Sequence, residues 1–162
     1  SSMPDQLGAR ERIDRTIKVD FPSDAPPLAG RTGLARLFRL SRYMRGFDLV
    51  LSYNWGAFDA VMARHLFGGP PLIHHEDGFN EDESDRLKPR RNLYRRLGLS
   101  AAYRLVVPSE RLEVIARTVW GQPAARVERG RTVVARNHLL DRFENFLDRR
   151  FAVLAHIPRP PS

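Results

Sequence analysis

Three short apolar runs in this chain each end in a group of polar residues. They extend from Phe47 to Tyr53, from Leu72 to His75 and from Tyr103 to Val107. A continuous apolar middle is typical of parallel strands that are covered on both faces. We therefore predict three parallel strands at these positions. A further segment, Thr16 to Phe21, alternates with period two and indicates a half-exposed strand.

Segments with apolar residues at helical spacing lie around these runs. The predicted helices are Gly33 to Arg45, Ala57 to Phe67, Pro89 to about Ser100, and a segment capped by Ser109 with a stripe of Leu112, Ile115, Ala116 and Val119. In the first helix we expect Leu34, Leu37 and Phe38 to share one face. The alternation of strands and helices predicts a doubly wound, mainly parallel α/β sheet with helices on both faces.

Polar residues at the ends of the three runs are the candidates for a site. They are Asn54 and Trp55 after the first run, His75, Glu76, Asp77 and Gly78 at the end of the second, and Ser109 after the third. In open α/β sheets, ligands bind at the carboxyl ends of parallel strands. The sequence therefore predicts that Asn54, His75, Asp77 and Ser109 meet at one edge of the sheet.

The two adjacent histidines have a functional and a structural interpretation. An imidazole at a strand end, such as His75, can donate a hydrogen bond to an anionic oxygen. Alternatively, His74 and His75 point to opposite faces of the sheet, one packed and one in solvent. For the same reason they do not form a convincing metal site, since no third ligand stands at a useful spacing. We predict neither a metal ion nor a cofactor.

The other candidate residues also have structural alternatives. The carboxylates of Glu76 and Asp77 can accept hydrogen bonds from sugar hydroxyls, and Gly78 lets a backbone come close to a ligand. The Asp-Gly pair is equally an ordinary turn. Trp55 either stacks on a sugar ring or packs in the core, which is commoner. Ser109 suits a helix cap better than a nucleophile, because no histidine and acid partner can be assigned to it.

Arginine dominates the charge of the chain. The net charge is +8, and all of the 27 basic residues except Lys18 and Lys88 are arginine. Such a surplus favours an anionic partner. Four of these residues surround apolar side chains on the third predicted helix, namely Arg90, Arg91, Arg95 and Arg96. A helix of this kind can bind anionic lipid or a lipid-linked diphosphate. Pairing with the acidic segment Glu81 to Asp85 is an equally good explanation.

Cysteine and long apolar segments are both missing from the sequence. The chain has no cysteine, so disulfides and thiolate chemistry are excluded and a reducing compartment fits. No apolar run approaches the roughly 20 residues that cross a bilayer, and the start lacks the plan of a signal peptide. We expect a cytoplasmic protein, with peripheral contact at the inner face of the membrane through the basic helix.

The stretch from residue 47 to residue 127 resembles the amino-terminal domain of glycosyltransferase family 4. The matching residues, in family order, are Asp48 to Ala57, His74 to Phe79 with Glu83, Lys88 to Arg91 with Arg95 and Arg96, and Val106 to Ser109 with Leu112, Ile115 and Ala116. The resemblance implies a Rossmann-like half of a two-domain (GT-B) enzyme that transfers sugar from a nucleotide donor with retained anomeric configuration. We expect a role in cell-surface polysaccharide synthesis. The resemblance also implies that His75 is the catalytic histidine, that this half binds a glycan or lipid-linked acceptor, and that the other half binds the nucleotide sugar.

Both ends of the chain depart from the family pattern. Residues 1–46 contain no recognisable apolar strand followed by a glycine-rich loop, and residues 128–162 form a basic, atypical tail that includes a possible helix from Leu139 to Leu147. We therefore expect an incomplete amino-terminal-like domain at residues 1–127, a fragment of the enzyme with no sugar transfer of its own. A shift of reading frame and an unusual natural terminus both fit the tail. Without the opening strand, the apolar edge of the Phe47 strand should stay unpaired unless Thr16 to Phe21 covers it, which predicts marginal stability and self-association.

Two other classes of function are open. The alternative is a non-catalytic α/β module that binds a glycan or an anionic lipid. A nucleic-acid-binding protein fits less well, because the arginines are dispersed over several helices and no nucleic-acid motif is present. We therefore predict no nucleic-acid partner.

Overall fold

The computed structural model describes residues 22–28, 31–78, 88–130 and 151–155. Its elements are α1 (Leu34–Met44), β1 (Leu49–Tyr53), α2 (Phe58–Phe67), β2 (Leu72–His75), α3 (Pro89–Leu99), β3 (Arg104–Val107), α4 (Glu110–Thr118), β4 (Val127–Arg129) and β5 (Phe151–Ala155), with short 3₁₀ turns at Trp55–Ala57 and Ala124–Arg126. The predicted strand from Thr16 to Phe21, the acidic segment Glu81 to Asp85 and the tail helix from Leu139 to Leu147 lie outside the described residues.

The five strands form one parallel sheet in the order β4-β3-β2-β1-β5. The three strands predicted from the sequence are all present and parallel, although β1 begins at Leu49 and β3 at Arg104, slightly later than predicted. The α/β Rossmann-like fold is thereby confirmed. Parallel pairing puts the carboxyl ends of all strands at the same edge of the sheet.

The outer edge of β1 is covered by β5, so the prediction of an open edge is wrong. Leu49 pairs with Phe151 and Tyr53 with Ala155. The run Phe-Ala-Val-Leu-Ala at residues 151–155 is apolar throughout, as strands inside parallel sheets are. Among the described strands β5 itself stands at the end of the sheet, and marginal stability and self-association stay predictions. The division of the chain at residue 127 stays a prediction, but both strands beyond that point join the same sheet.

Three helices form a layer on one face of the sheet. α1 packs beside α2, and α2 packs beside α3 and against β1 and β2. The core beneath this layer includes Val50, Leu72, Leu105 and Val107 from the sheet and Leu40, Met44, Phe58 and Val61 from the helices. Successive strand residues point to opposite faces. Ser52 and His74 therefore face the helices, and Tyr53 and His75 face away from them.

The helix α1 is confirmed, but its buried face differs from the predicted one. Leu37, Leu40 and Met44 are buried, whereas Leu34 is 70% and Phe38 is 47% exposed. The buried residues follow the spacing i, i+3, i+7, which forms a single stripe on a helix. Leu34 and Phe38, four residues apart, lie on a neighbouring stripe that is exposed. The spacing of Leu34, Leu37 and Phe38 alone does not show which of the two stripes is buried.

Candidate functional site at the carboxyl edge of the sheet

The carboxyl ends of β1, β2 and β3 lie side by side. Because both strand pairs are parallel and in register at these ends, the residues that follow them leave the sheet at the same edge. The four residues predicted to meet at one edge therefore lie at this edge. They are Asn54, His75, Asp77 and Ser109. Their common location agrees with the sequence analysis, and their functional roles stay proposals.

Residues 74 to 77 alternate between two environments, as successive residues of an extended chain do. His74 and Glu76 face the helical layer and are fully buried. His75 and Asp77 are partly exposed. The structure thus shows one packed and one solvated histidine, and it extends the alternation two residues past the strand. The alternation separates an outer pair of side chains from an inner network.

His75 and Asp77 form the outer pair. Nε2 of His75 lies 2.9 Å from Oδ1 of Asp77, and 38% and 36% of the two side chains are exposed. Tyr53 packs edge-on against the imidazole, with 5.0 Å between the ring centroids. Burial lowers the pKa of His75, the neighbouring His74 lowers it further, and the Glu76 carboxylate opposes both. Burial also raises the pKa of Asp77. A neutral imidazole that donates Nε2–H to the Asp77 carboxylate is therefore favoured near neutral pH.

The inner network links β1, β2 and α3. Ser52 Oγ lies 2.9 Å from Nδ1 of His74, and Nε2 of His74 lies 3.3 Å from Oε2 of Glu76. Nε of Arg95 lies 3.5 Å from the same carboxylate oxygen. A carboxylate only accepts hydrogen bonds, so His74 donates from Nε2, while the Ser52 hydroxyl can donate to Nδ1 of the ring or accept from it. All four side chains are buried.

Two interpretations from the sequence change as a result. Glu76 was expected to bind substrate, but its buried carboxylate contacts His74 and Arg95 and does not reach a ligand at the surface. Arg95 was expected on an anionic surface, but 1% of its side chain is exposed. Its guanidinium lies 4.9 Å from the ring centroid of Trp55 and 5.2 Å from that of Trp120. Helical spacing alone does not reveal that an arginine has an acidic partner inside the protein.

Asn54 joins the ends of β1 and β2. Its backbone N–H donates to His75 O at 2.7 Å, and its Oδ1 accepts from the Asp77 N–H at 2.7 Å. Its φ of 56° and ψ of 179° lie where a residue with a Cβ is strained, at a cost of roughly 1–3 kcal/mol. The hydrogen bonds hold the residue in this conformation. Its Oδ1 is occupied, which leaves Nδ2 as the side-chain group for a ligand.

Trp55 packs against protein groups on several sides. It stacks on Phe58 at 5.4 Å and meets Tyr94 edge-on at 5.9 Å between ring centroids. The guanidinium groups of Arg91 and Arg95 lie over its ring at 5.2 and 4.9 Å. This environment favours the core-packing interpretation of Trp55 over stacking on a sugar.

Ser109 and Gly78 complete the predicted set. Oγ of Ser109 accepts from the Leu112 N–H at 3.3 Å, so the predicted helix cap is confirmed. Gly78 has a φ of 151°, which favours glycine, and among the described residues other than its chain neighbours no atom lies within 4 Å of the position that a Cβ would take. The backbone at Gly78 is therefore sterically open to a ligand.

A polar junction around Asp59 was missed by the sequence analysis. Oγ1 of Thr32 lies 3.0 Å from each oxygen of this carboxylate. Arg36 forms an ion pair with Asp59 at 3.1 Å and also donates to Leu28 O. The Tyr94 hydroxyl donates to Asp59 at 3.5 Å, and burial, then the Asp59 charge, raise the Tyr94 pKa. The junction ties the segment before α1 to α2 and α3. An acidic residue in the first turn of a helix was a signal for such a contact.

The exposed side of α3 carries both charge and apolar surface. Arg90 and Arg96 are exposed, as are Leu93 and Leu97, while Arg91 is partly exposed. In the part of the chain that the structure describes, no helix has the length and apolar content needed to span a membrane.

A cavity of about 340 Å³ lies at the opposite edge of the sheet. Its lining includes Arg96 and Ser100 from the end of α3 and Gln122 and Arg126 from the segment that enters β4. It is therefore separate from the candidate site. Within the described residues, no cluster of three histidine, aspartate or glutamate side chains could hold a metal ion.

The parallel α/β sheet defines a Rossmann-like protein, and the polar groups at its carboxyl edge form a candidate ligand site. Comparison with protein families then identifies the particular family. Residues 4–137 match the model of the glycosyl transferase 4-like domain. The match covers most of the chain, so the chain belongs to this family, and the resemblance to glycosyltransferase family 4 is confirmed over a wider range than residues 47–127. A search of curated proteins finds no match.

Proposed function

We propose that this chain is the acceptor-side half of a retaining glycosyltransferase that transfers a sugar from a nucleotide donor to a glycan or lipid-linked acceptor. The observation that carries the proposal is the partly exposed His75–Asp77 pair at the carboxyl edge of the sheet in a chain of the glycosyl transferase 4-like family. A two-domain GT-B architecture and a role in cell-surface polysaccharide synthesis are parts of the same proposal.

His75 is the proposed catalytic residue. Burial lowers its pKa, so the imidazole is neutral near pH 7 and can offer a hydrogen bond without bringing a charge into the ground state. As the bond to the nucleotide breaks, a phosphate oxygen gains negative charge, and the Nε2–H, which donates to Asp77 in the free chain, turns to this oxygen and forms a hydrogen bond that strengthens as the charge develops. A contact that is stronger in the transition state than in the ground state accelerates the reaction. Asp77 orients the imidazole and accepts a hydrogen bond from a sugar hydroxyl.

The other residues at the edge provide hydrogen-bond groups for the acceptor. Nδ2 of Asn54 can donate, because the Oδ1 of this side chain is already bound to Asp77 N–H. The hydroxyl hydrogen of Ser109 can donate while its oxygen caps α4. Gly78 allows the acceptor to approach the backbone. Trp55 stabilises this edge of the sheet by stacking on Phe58.

Sugar transfer also requires a domain that binds the nucleotide. The departing diphosphate needs several preorganised donors or cations, because its charge develops on more than one oxygen. We propose that a second Rossmann-like domain supplies these groups and that residues 1–162 alone do not transfer sugar. The nucleotide sugar is then a partner of the complete two-domain enzyme.

The exposed surface of α3 suits a contact with anionic lipid or a lipid-linked diphosphate. Arg90 and Arg96 supply the charge, and Leu93 and Leu97 supply apolar surface at the same helix. Arg95 takes no part, because it is buried. The contact would place the protein at the inner, cytoplasmic face of the membrane.

A binding experiment on the purified chain tests the proposal. The probes are a nucleotide sugar, a short glycan and a lipid-linked diphosphate sugar, each followed by NMR at the amides of Asp77 and Gly78. We expect the glycan or lipid-linked probe to bind without turnover, and Asp77→Asn to weaken this binding about tenfold, or about 1.4 kcal/mol for a lost hydrogen bond to a charged group. His75→Gln should weaken it less, because the proposed hydrogen bond of His75 goes to the departing phosphate. His65→Gln, which changes a histidine at the far end of α2, is the matched control.

Three results would contradict parts of this proposal. A folded chain that binds none of the three probes would exclude the acceptor site. Turnover of a nucleotide sugar by the chain alone, lost in His75→Gln, would show that the second domain is dispensable. Binding without transfer after a donor-binding domain is supplied would favour the alternative, a non-catalytic module for a glycan or anionic lipid.

A further inference from the structure

The carboxyl end of β2 is held from three directions. On one side, the Asn54 N–H donates to His75 O. On the other side, the Glu76 N–H donates to Val106 O at 3.0 Å. From the helical layer, Arg95 reaches the Glu76 carboxylate. The first two contacts come from neighbouring strands, whereas the third is a side-chain contact that a single substitution removes.

Arg95 is itself fixed in place. Its guanidinium lies over the rings of both Trp55 and Trp120. Nε1–H of Trp120 in turn donates at 3.1 Å to Oδ1 of Asn92, which is on the same helix as Arg95. A planar guanidinium stacks on aromatic rings and keeps its orientation, which a lysine ammonium does not. Arg95 therefore presents its charge to Glu76 from a rigid position.

The ion pair also determines the state of the inner network. Among the described residues, Oε1 of Glu76 accepts no hydrogen bond, and Arg95 is the cation in contact with this carboxylate. A buried charge without a partner is strongly unfavourable. His74 and Ser52 extend the contact to β1 through two hydrogen bonds. Moving Glu76 would thus break contacts to both α3 and β1.

We propose that Arg95 is a positioning residue that, through Glu76 and the hydrogen bonds between Glu76 and His74 and between His74 and Ser52, fixes the end of β2 so that His75 and Asp77 face the candidate site at the carboxyl edge of the sheet. Residues 74 to 77 are consecutive and extended, so anchoring residues 74 and 76 inside orients residues 75 and 77 outside. The importance of this for sugar transfer rests on the function proposed above, but the positioning itself does not.

The test uses the whole chain with the variants Arg95→Met, Arg95→Lys and the double variant Arg95→Met/Glu76→Gln. Arg96→Met is the matched control, because it makes the same change at the next, exposed position of α3. Three quantities are measured: the unfolding midpoint in urea, the ring titration of His75 by NMR, and the exchange rate of the Asp77 amide, which donates to Asn54. His75→Gln assigns the ring signal.

The expected results follow from charge balance. Arg95→Met leaves the buried Glu76 carboxylate without its arginine and, among the described side chains, with only the contact to His74, and so lowers the unfolding midpoint markedly, whereas the double variant recovers most of it. In the double variant we expect the His75 midpoint to rise by about half a pH unit or more toward its ordinary value of about 6.5. We expect the Asp77 amide to exchange about tenfold faster, as in a locally opened segment. For Arg95→Lys we expect the His75 titration midpoint and the Asp77 exchange rate to lie between those of the wild type and the double variant.

A higher titration midpoint of His75 in the double variant would report a changed position of the ring and not the loss of a charge. The groups that face His75 are Asp77 in contact, His74 and Glu76 beside it in the chain, and the Tyr53 ring. The double variant removes the Glu76 carboxylate, which raises the His75 pKa, together with Arg95, which is not among these groups. The loss of the Glu76 charge alone would lower the midpoint and not raise it.

Each of the following results would overturn the proposal. In the first, the double variant folds and keeps the wild-type His75 titration and Asp77 exchange. In the second, Arg95→Met unfolds at the wild-type urea concentration. In the third, no Arg95 variant folds although Arg96→Met does, so that Arg95 serves the fold as a whole. If the predicted shifts occur in a chain that binds no glycan, lipid-linked or nucleotide probe, the positioning role stands and the proposed function falls.

Discussion

Gly98 is the point of closest approach between α3 and α2, and Gly98→Ala tests that contact. A Cβ at this position would lie 2.8 Å from Cε1 and 3.1 Å from Cζ of Phe58, and 3.5 Å from Cγ1 of Val61. Carbon atoms in favourable contact are about 3.5–4.0 Å apart. The Phe58 ring would therefore have to move by roughly 0.7 Å or more to reach that separation.

Two effects of this substitution oppose each other. Alanine is better than glycine inside a helix by about 1 kcal/mol. Overpacking a filled core costs about 1–3 kcal/mol. Phe58 is fully buried and packs against Trp55, Tyr94 and His74, so it cannot swing aside. We expect the cost of overpacking to exceed the gain in helix propensity. Gly98→Ala should then lower the free energy of unfolding by about 1 kcal/mol, and Gly98→Val should lower it further.

Urea denaturation followed by circular dichroism measures the effect. Gly46→Ala is the control, because Gly46 is exposed and a Cβ there would meet one backbone oxygen at 3.4 Å. In a double-mutant cycle, Phe58→Leu should relieve part of the cost of Gly98→Ala, with a coupling of about 0.5–3 kcal/mol. If Gly98→Ala instead stabilises the chain by about 1 kcal/mol, as at an uncrowded helix position, the close packing of α2 and α3 described here is incorrect.

Three further predictions concern a cap and two titrating groups. Ser109→Ala should lower the free energy of unfolding by about 1 kcal/mol, because the Leu112 N–H loses its acceptor, and Ser109→Asp should restore it; equal stability of all three chains in urea would refute the cap. The raised Tyr94 pKa implies that stability is lost as pH rises above about 10, by at most about 1.4 kcal/mol per pH unit. Tyr94→Phe should remove that part of the alkaline loss, and identical alkaline profiles for the two chains would contradict it. The lowered His75 pKa implies the opposite sign: relative to His75→Gln, the wild type should lose a small amount of stability as pH falls from about 7.5 to about 5, since solvent screens this partly exposed ring. A wild type that gains stability on acidification relative to His75→Gln would show that the ring is protonated more easily in the folded chain.

The strands could be predicted wherever apolar pattern and context agreed. Leu72–His75 stands between clear turn residues, and the structure reproduces its bounds. Phe151–Ala155 has the same apolar pattern, but an arginine-rich segment surrounds it and obscured the strand. Its pairing with β1 is a long-range contact that local propensity does not contain.

The candidate site was predictable in position but not in orientation. Parallel strands fix which edge carries Asn54, His75 and Ser109, so the location followed from the topology. The inward or outward orientation of a charged side chain depends on a partner from another element. Glu76 and Arg95 are 19 positions apart in the sequence, and nothing local links them. For this reason the sequence suggested a ligand contact and a surface cation where the structure has a buried ion pair.

The position of β5 has a consequence for the order in which the chain folds. Its partner β1 lies roughly 100 residues earlier, and closing a loop of that length costs about 4 kcal/mol of chain entropy. At a synthesis rate of about 5–20 residues per second, β1 waits roughly 5–20 s for this partner to be made. During that interval β1 to β4 can already associate while the apolar outer side of β1 is uncovered. The nascent chain is therefore most vulnerable to aggregation in the period before residue 155 emerges, and holding chaperones should matter most then.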